Sequence, residues 1–340
     1  MTQIKVDSIT DVAGTGAPDF SDGLTVSGGA ISALNTAEYY SSGTEPTSPK
    51  NGAIWWDSTN SKVMVYIAAE FKEVELGASS GIDISQASYD SVSFSVASQD
   101  STPFGMAFNT DGSKMYIAGW QYDSVYQYSL STVFDLSTAS YDSVSFSIAS
   151  QDTVPIGLLF SPDGTKMYIV GLGNKKIFQY SLSTAFNIST ASYSSTSFST
   201  LNEDTGTYDM AFNGDGTKMY TLGTVNDSVY QYSLSTAYNV GTSSYDSVSF
   251  SVASQETTPQ SFRFNSDGTK LFVIGQGSRI LYQYSLSTAY DISTASYDSV
   301  SFSAASQVGS ANGISFSADD TKLYIMGATN DTVYQYSTGL

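Results

Sequence analysis

The dipeptide Asp111-Gly112 returns at an unchanging interval of 52 residues as Asp163-Gly164, Asp215-Gly216 and Asp267-Gly268, and a fifth copy is altered to Asp319-Asp320. Tyr128 returns in the same register as Tyr180, Tyr232, Tyr284 and Tyr336, and Tyr89 as Tyr141, Tyr193, Tyr245 and Tyr297. A fixed period near 50 residues with strand-like content restricts the fold to a stacked array or a propeller. No insertion or deletion disturbs the interval, so every unit reaches its neighbour with the same length of chain.

One repeat reads as four short strands. Gly105 to Phe108 and Lys114 to Ile117 flank an Asp-Gly turn, where glycine accepts the positive φ that a tight hairpin requires. These are strands A and B, and Gly119 ends strand B. Strand C runs from Val125 to Tyr128. A connection carrying Leu130, Phe134 and Leu136 leads to strand D, Ser143 to Ile148. There Val144, Phe146 and Ile148 alternate with serines, as in a strand with one face buried and one in water. Four antiparallel strands per unit make a propeller blade. A solenoid, the competing architecture, needs distinct terminal caps, and none is visible.

The strand count predicts closure. The first D strand, Ser91 to Val96, precedes the first A strand, and the chain stops just after the last C strand, Val333 to Tyr336. Pairing these two segments completes a fifth blade and leaves no open edge. The expectation is an all-β, five-bladed propeller of residues 83–340, closed by its N-terminal outer strand. The segments Phe160 to Val170 and Phe264 to Ile274 resemble the hairpin of YVTN-type and NHL-type propeller repeats. Those families often have six or seven blades, so five follows from copy number alone.

The composition excludes much chemistry. The chain has 340 residues and a formal net charge of -19, with no Cys and no His. Disulfides, thiolate or imidazole metal sites, and Ser-His-Asp or Cys-His catalysis are therefore absent. An acidic chain repels phosphate backbones and anionic bilayers, so neither nucleic acid nor a membrane is an expected partner. No apolar run approaches spanning length, and Met1 to Asp7 shows no apolar leader. The Asp-Gly turns lack the ligand spacing of a calcium loop. No metal and no cofactor is expected. The repeated Lys114, Lys166, Lys218, Lys270 and Lys322 are expected to lie over strand B or to pair with the neighbouring turn Asp.

The first 82 residues lie outside the repeat. Residues 1–35 hold too little apolar surface to fold alone and read as an extended segment needing a partner. Residues 36–78 read as a small module of three strands, Ala53 to Asp57, Val63 to Ile67 and Phe71 to Leu76, packed on Trp55 or Trp56. Residues 79–82 read as a linker. The run Ile4-Lys-Val-Asp-Ser-Ile9, followed by Gly14 to Phe20, resembles the start of bacteriophage tail-fibre and virion appendage proteins. Pro49 to Asp57 with Lys62 to Val74 is similar to a module common in phage fibres. The resemblance implies a virion anchor through Ile4, Val6, Ile9, Phe20, Trp55 and Trp56, contact with other virion proteins through residues 1–82, a trimer, and location in the virion after assembly in the host cytoplasm.

Function is sought where the five copies differ. The A–B turns and C–D connections are nearly constant, whereas the B–C tips and D–A loops, which share one face of an antiparallel blade, diverge. The candidate recognition residues there are Trp120, Gln121, Tyr122, Asn174, Lys175, Tyr208, Asn226, Gln276, Arg279, Asn312 and Asn330, aromatic and polar side chains suited to binding surfaces. The repeated Tyr126, Tyr128, Phe178, Tyr180, Tyr230 and Tyr232 are instead assigned to packing between blades. Five-bladed propellers also host glycosidases, which need convergent carboxylates. Only Glu203 and Asp209 are unrepeated acids placed to face the axis, and the chain is expected not to be an enzyme. The expected function is a virion structural protein whose propeller meets a host-surface glycan or outer-membrane protein. A decoration or spacer without a receptor, and a cellular lectin-like propeller analogous in fold to tachylectin, are the alternatives.

Overall fold

In the computed structural model, the structure describes residues 82–340 throughout and, before them, the backbone of four short strands. These are β1 (Tyr39–Ser42), β2 (Ile54–Asp57), β3 (Lys62–Ile67) and β4 (Glu70–Val74). β2, β3 and β4 form an antiparallel meander, and β1 adds to β2 in parallel, a fourth strand that the sequence pattern had not disclosed. Trp55 and Trp56 lie on β2. Ile4, Val6, Ile9 and Phe20 fall outside the described residues. The chain divides into two compact units, residues 1–81 and 82–340. Ile82, read from sequence as the end of the linker, is fully buried in the second unit.

The second unit begins with β5 (Ser88–Ser95). The first full blade is β6 (Pro103–Phe108), β7 (Lys114–Gly119), β8 (Ser124–Leu130) and β9 (Ala139–Ser147). The next three are β10 (Pro155–Phe160) to β13 (Ala191–Ser199), β14 (Thr207–Phe212) to β17 (Ser243–Ser251), and β18 (Pro259–Phe264) to β21 (Ala295–Ser303). The fifth is β22 (Ala311–Phe316), β23 (Lys322–Gly327) and β24 (Thr332–Ser337), completed by β5 in the order β22-β23-β24-β5. Five four-stranded antiparallel sheets result, and each inner strand packs on the next, β22 returning to β6. At the seam Val333 pairs with Phe94 and Tyr336 with Tyr89, the register that joins Val125 to Phe146 and Tyr128 to Tyr141 inside the first blade. Residues 82–340 form a five-bladed β-propeller.

The outer strands begin earlier than alternation alone suggests. Between Tyr141 and Val144 the register slips, Asp142 and Ser143 bulge out, and Ser143 takes φ 59°. From Val144 onward the expected pattern holds, with the serines exposed and Val144 and Phe146 half-buried. The bulge turns Asp142 inward, where its carboxylate accepts from Lys114 Nζ at 3.0 Å and Gln127 Nε2 at 2.8 Å. Four of the five repeated lysines, Lys114, Lys218, Lys270 and Lys322, therefore pair with the outer strand of their own blade. The turn acids do something else: Asp111 Oδ1 accepts the Ser113 N–H at 2.9 Å and caps the hairpin. The second blade has Ser194 at the Asp142 position, and its hydroxyl meets Ser181 Oγ at 2.7 Å.

Adjacent blades are held by aromatic rings, as the sequence pattern predicts. Tyr128, Tyr180, Tyr232, Tyr284 and Tyr336 are fully buried, and each takes an outer-strand phenylalanine of the preceding blade edge-on, as in Phe146–Tyr180 at 5.5 Å between centroids. Phe94 does the same to Tyr128 at 5.5 Å, so β5 bonds the fifth blade to the first. Burying a ring of this size stabilises by about 1.5–3 kcal/mol.

Candidate functional site

The variable loops stand on a constant frame. In four blades a carboxylate between 1% and 3% exposed opens the D–A loop: Asp100, Asp152, Asp204 and Glu256. Asp152 accepts the Val154 N–H at 2.7 Å, and across the gap the Gly173 and Asn174 N–H groups at 3.2 and 2.7 Å. Asp100 likewise binds Thr102 N at 2.8 Å, with Gln121 N and Tyr122 N both at 3.3 Å. One buried charge thus fastens the D–A loop to the B–C tip, and its N–H donors compensate its desolvation. The residue ending strand B must be glycine, because a Cβ on Gly119 or Gly171 would overlap the Asp100 or Asp152 carboxyl group. In the fifth blade Val308 replaces the acid. The sequence carries this signal as an acid repeated every 52 residues just before strand A.

On this frame the candidate residues divide. Trp120 and Tyr122 are 45% and 60% exposed, and Trp120 leans on Phe104 with centroids 5.9 Å apart. Gln276 is exposed. Gln121 is exposed too, but its Oε1 is engaged by Ser101 N at 3.0 Å and Ser101 Oγ at 2.6 Å. Asn174, Asn226 and Asn330 occupy one equivalent position, and each donates from Nδ2 to a D–A loop carbonyl, Gln151, Glu203 or Gln307, at 2.6, 3.2 and 3.3 Å. They are tip staples, and in the first blade Tyr122 stands in their place. Lys175 and Arg279 are half-buried at the positive-φ position shared with Asp123, Asp227 and Asp331. Tyr208 is half-buried against the Ile156 cluster. Asn312 is 3% exposed and donates to the Pro103 carbonyl at 3.3 Å, which removes it from the surface.

The face is electronegative. Burial raises the pKa of Asp123, Asp227 and Asp331, and the neighbouring carboxylates of Asp152 and Asp100, of Glu256 and Asp204, and of Asp100 respectively add to the rise.

The two unrepeated acids do not converge. Glu203 takes the Tyr232 hydroxyl at 3.4 Å, on strand C. Asp209 is 3% exposed on the inner strand β14. Its sisters at the axis are Gly105, Gly157, Ser261 and Gly313, and a Cβ at Gly105 would lie 2.9 Å from Leu158 Cβ. Asp209 Oδ2 accepts from Arg263 Nη1 at 2.6 Å, Ser261 Oγ at 2.5 Å and Phe262 N at 3.1 Å, while Oδ1 accepts from Met210 N at 2.8 Å. Ser261 Oγ also accepts from Ile314 N at 3.2 Å. Inward-facing backbone N–H groups of three blades therefore meet one carboxylate and one hydroxyl. This network locks the axis and leaves Asp209 committed to its partners. The sequence signalled Asp209 as an exception without disclosing Arg263 as its partner. Among the described residues, no group of three or more acidic, His or Cys side chains is placed to hold a metal ion.

No protein-family model matches the chain, and no curated protein matches it. Among solved structures, similar ones include a functionally unknown protein from Desulfotomaculum acetoxidans, at 13% identity and TM-score 0.42, covering 78% of this chain and 69% of that one. A putative 6-phosphogluconolactonase from Bacteroides uniformis aligns at 13% identity and TM-score 0.41, over 71% of this chain and 64% of its own. The periplasmic gluconolactonase of Pseudomonas aeruginosa aligns at 15% identity and TM-score 0.42, over 70% and 68%. A likeness of this order does not extend to chemistry.

Proposed function

We propose that this protein is a non-enzymatic recognition module of a bacteriophage virion appendage. Residues 1–82 attach it to other virion proteins, as a trimer by resemblance, and the propeller presents its loop face to a host-surface glycan or outer-membrane protein. The observation that supports this reading best is the tip of the first blade. Trp120 and Tyr122 project large apolar surface into water from a tip whose backbone is pinned by Asp100. A rigid aromatic pair binds with little loss of conformational freedom. No catalytic role is assigned, because the axial carboxylate Asp209 is consumed by its ion pair and hydrogen bonds. The electronegative face also suits a neutral ligand better than an acidic one. The test is adsorption of the full chain to candidate host cells. Trp120→Ala and Tyr122→Ala are expected to weaken it, while a truncated chain of residues 1–82 is expected not to adsorb. Adsorption carried by that fragment alone would reverse the division of roles.

A further inference from the structure

On the face opposite the variable loops, where the A–B turns gather, the inner strands open into a funnel of about 320 Å3. That is the lower end of the range for small-ligand pockets, about 300–1,000 Å3. Five phenylalanines line it, one per blade: Phe108, Phe160, Phe212, Phe264 and Phe316. Each is braced by the strand-B aromatic of the preceding blade, with centroids 4.5 to 4.9 Å apart, so the collar is preformed.

Two charged residues break the five-fold repetition inside this funnel. Arg263 stands where the other blades have Ala107, Leu159, Ala211 and Ser315. Its Nη1 is taken by Asp209, the Phe262 carbonyl and, more distantly, the Met210 carbonyl. Among the described residues the rest of the guanidinium has no protein acceptor, and Arg263 lines the cavity. Asp320 stands where the other four turns have glycine. It holds φ 61°, a conformation glycine adopts more cheaply, and it is 7% exposed with Oδ2 accepting from Ser266 N at 2.9 Å. The other four turns form without a carboxyl group, so what Asp320 adds is a side chain at the funnel wall, held there by the Ser266 N–H of the preceding blade.

The charges identify the class of ligand by elimination. Arg263 is already neutralised by Asp209, so an anion would gain little there and would face Asp320. A cation could meet Asp320 but would leave the free N–H groups of Arg263 without an acceptor. A neutral molecule meets a donor fork on one side, an acceptor on another, and an apolar wall of Met106, Phe108, Leu159 and Phe160 on the third. A compact ring that carries hydroxyls and has one apolar face satisfies all three.

We propose that the turn-face funnel binds a single neutral sugar residue, with hydroxyls accepting from Arg263 and donating to Asp320 and the ring packed inside the phenylalanine collar. The site lies on the opposite side of the propeller from the loop face and does not depend on the function proposed for it.

The test is titration of the full chain, by calorimetry and ligand-observed NMR, with glucose, galactose, mannose and N-acetylglucosamine, and with glucuronate as the anionic control. At least one neutral sugar is expected to bind with Kd on the order of 1 mM, and glucuronate more weakly than its neutral parent. Asp320→Gly restores the turn of the other four blades, giving up the Ser266 bond but relieving the positive φ, and is expected to remain folded while weakening binding about tenfold or more. The double variant Asp209→Gly, Arg263→Ala copies the first blade, Gly105 and Ala107, and is expected to abolish binding in a folded protein. No binding by any of the four sugars overturns the proposal, as does binding unchanged in both variants. Binding weakened by Trp120→Ala and not by Asp320→Gly would place the sugar on the loop face and overturn it equally.

Discussion

Lys322 Nζ lies 2.7 Å from Asp90 Oδ2, an ion pair between residues 232 positions apart that belong to one blade. It is the same bond as Lys114–Asp142 at 3.0 Å, Lys218–Asp246 at 2.7 Å and Lys270–Asp298 at 2.9 Å. The ring thus closes with the contacts used inside every other blade that has the acid. Burial pushes the Asp90 pKa up, but hydrogen bonds from Lys322, Ser337 and Gln335 outweigh it, and the net shift is downward. A carboxylate with a depressed folded pKa stabilises above its unfolded pKa and loses that contribution as pH falls through the folded value. Asp90→Ser, the arrangement that Ser194 provides in the second blade, should cost about 1–2 kcal/mol at pH 7. The gap in urea midpoint between the two proteins should close as pH is taken below about 4. A gap that does not narrow at all as pH falls from about 4 would show that the seam is held by something other than this charge.

A second closure bond is missing and can be supplied. Tyr116, Tyr168, Tyr220 and Tyr324 each donate a hydroxyl to a C–D connection carbonyl in the following blade, at 2.5 to 2.6 Å. Phe272 occupies the fifth equivalent position and has no hydroxyl; by the repeat interval, its partner would be Ile82, in the segment that closes the ring. Phe272→Tyr is expected to raise stability by about 1 kcal/mol, and Tyr220→Phe to lower it by about 1–2 kcal/mol through the Tyr290 carbonyl left unmet. Chemical denaturation of the two variants checks the pair, and a Phe272→Tyr protein less stable than the parent would rule out room for the hydroxyl.

The blade count, the closing strand and the packing role of Tyr128 and its copies were legible because a repeated sequence must solve the same packing problem five times. The bulge at Asp142 and Ser143 was not, since a slip of two residues leaves the alternation beyond it intact. The partner of the repeated lysines was missed for the same reason. On the loop face, exposure of Trp120 and Tyr122 followed from their divergence. The divergence of Asn312 misled, because a residue at a unique position can also be filling a unique hole. The funnel was hidden because Arg263 and Asp320 lie 57 residues apart and meet only through ring geometry.

The axial ion pair should behave as a unit. Arg263 and Asp209 have side chains 13% and 5% exposed, so removing one strands the other in a site largely closed to water. Arg263→Ala alone is expected to cost about 3–5 kcal/mol. The double variant Asp209→Gly, Arg263→Ala should recover much of that loss, because Gly105 and Ala107 show that the first blade packs without either group. A double-mutant cycle by urea denaturation measures the coupling; additive losses would mean that the pair does not organise the axis.

The loop frame and the aromatic tip can be separated experimentally. Trp120→Ala removes a side chain that is 45% exposed and takes part in no hydrogen bond of the frame, so it should change stability by less than about 1 kcal/mol. Gly119→Ala leaves Trp120 in place but drives a methyl group into the Asp100 carboxyl group, which holds the backbone of both Gln121 and Tyr122. It should cost about 1–3 kcal/mol through overpacking, and more if the carboxylate loses its donors. If recognition needs the tip in one conformation, both variants lose adsorption, whereas only Gly119→Ala lowers the melting temperature. Adsorption retained in Gly119→Ala would mean that the aromatic pair works without its frame, and the case for a preorganised loop face would fall.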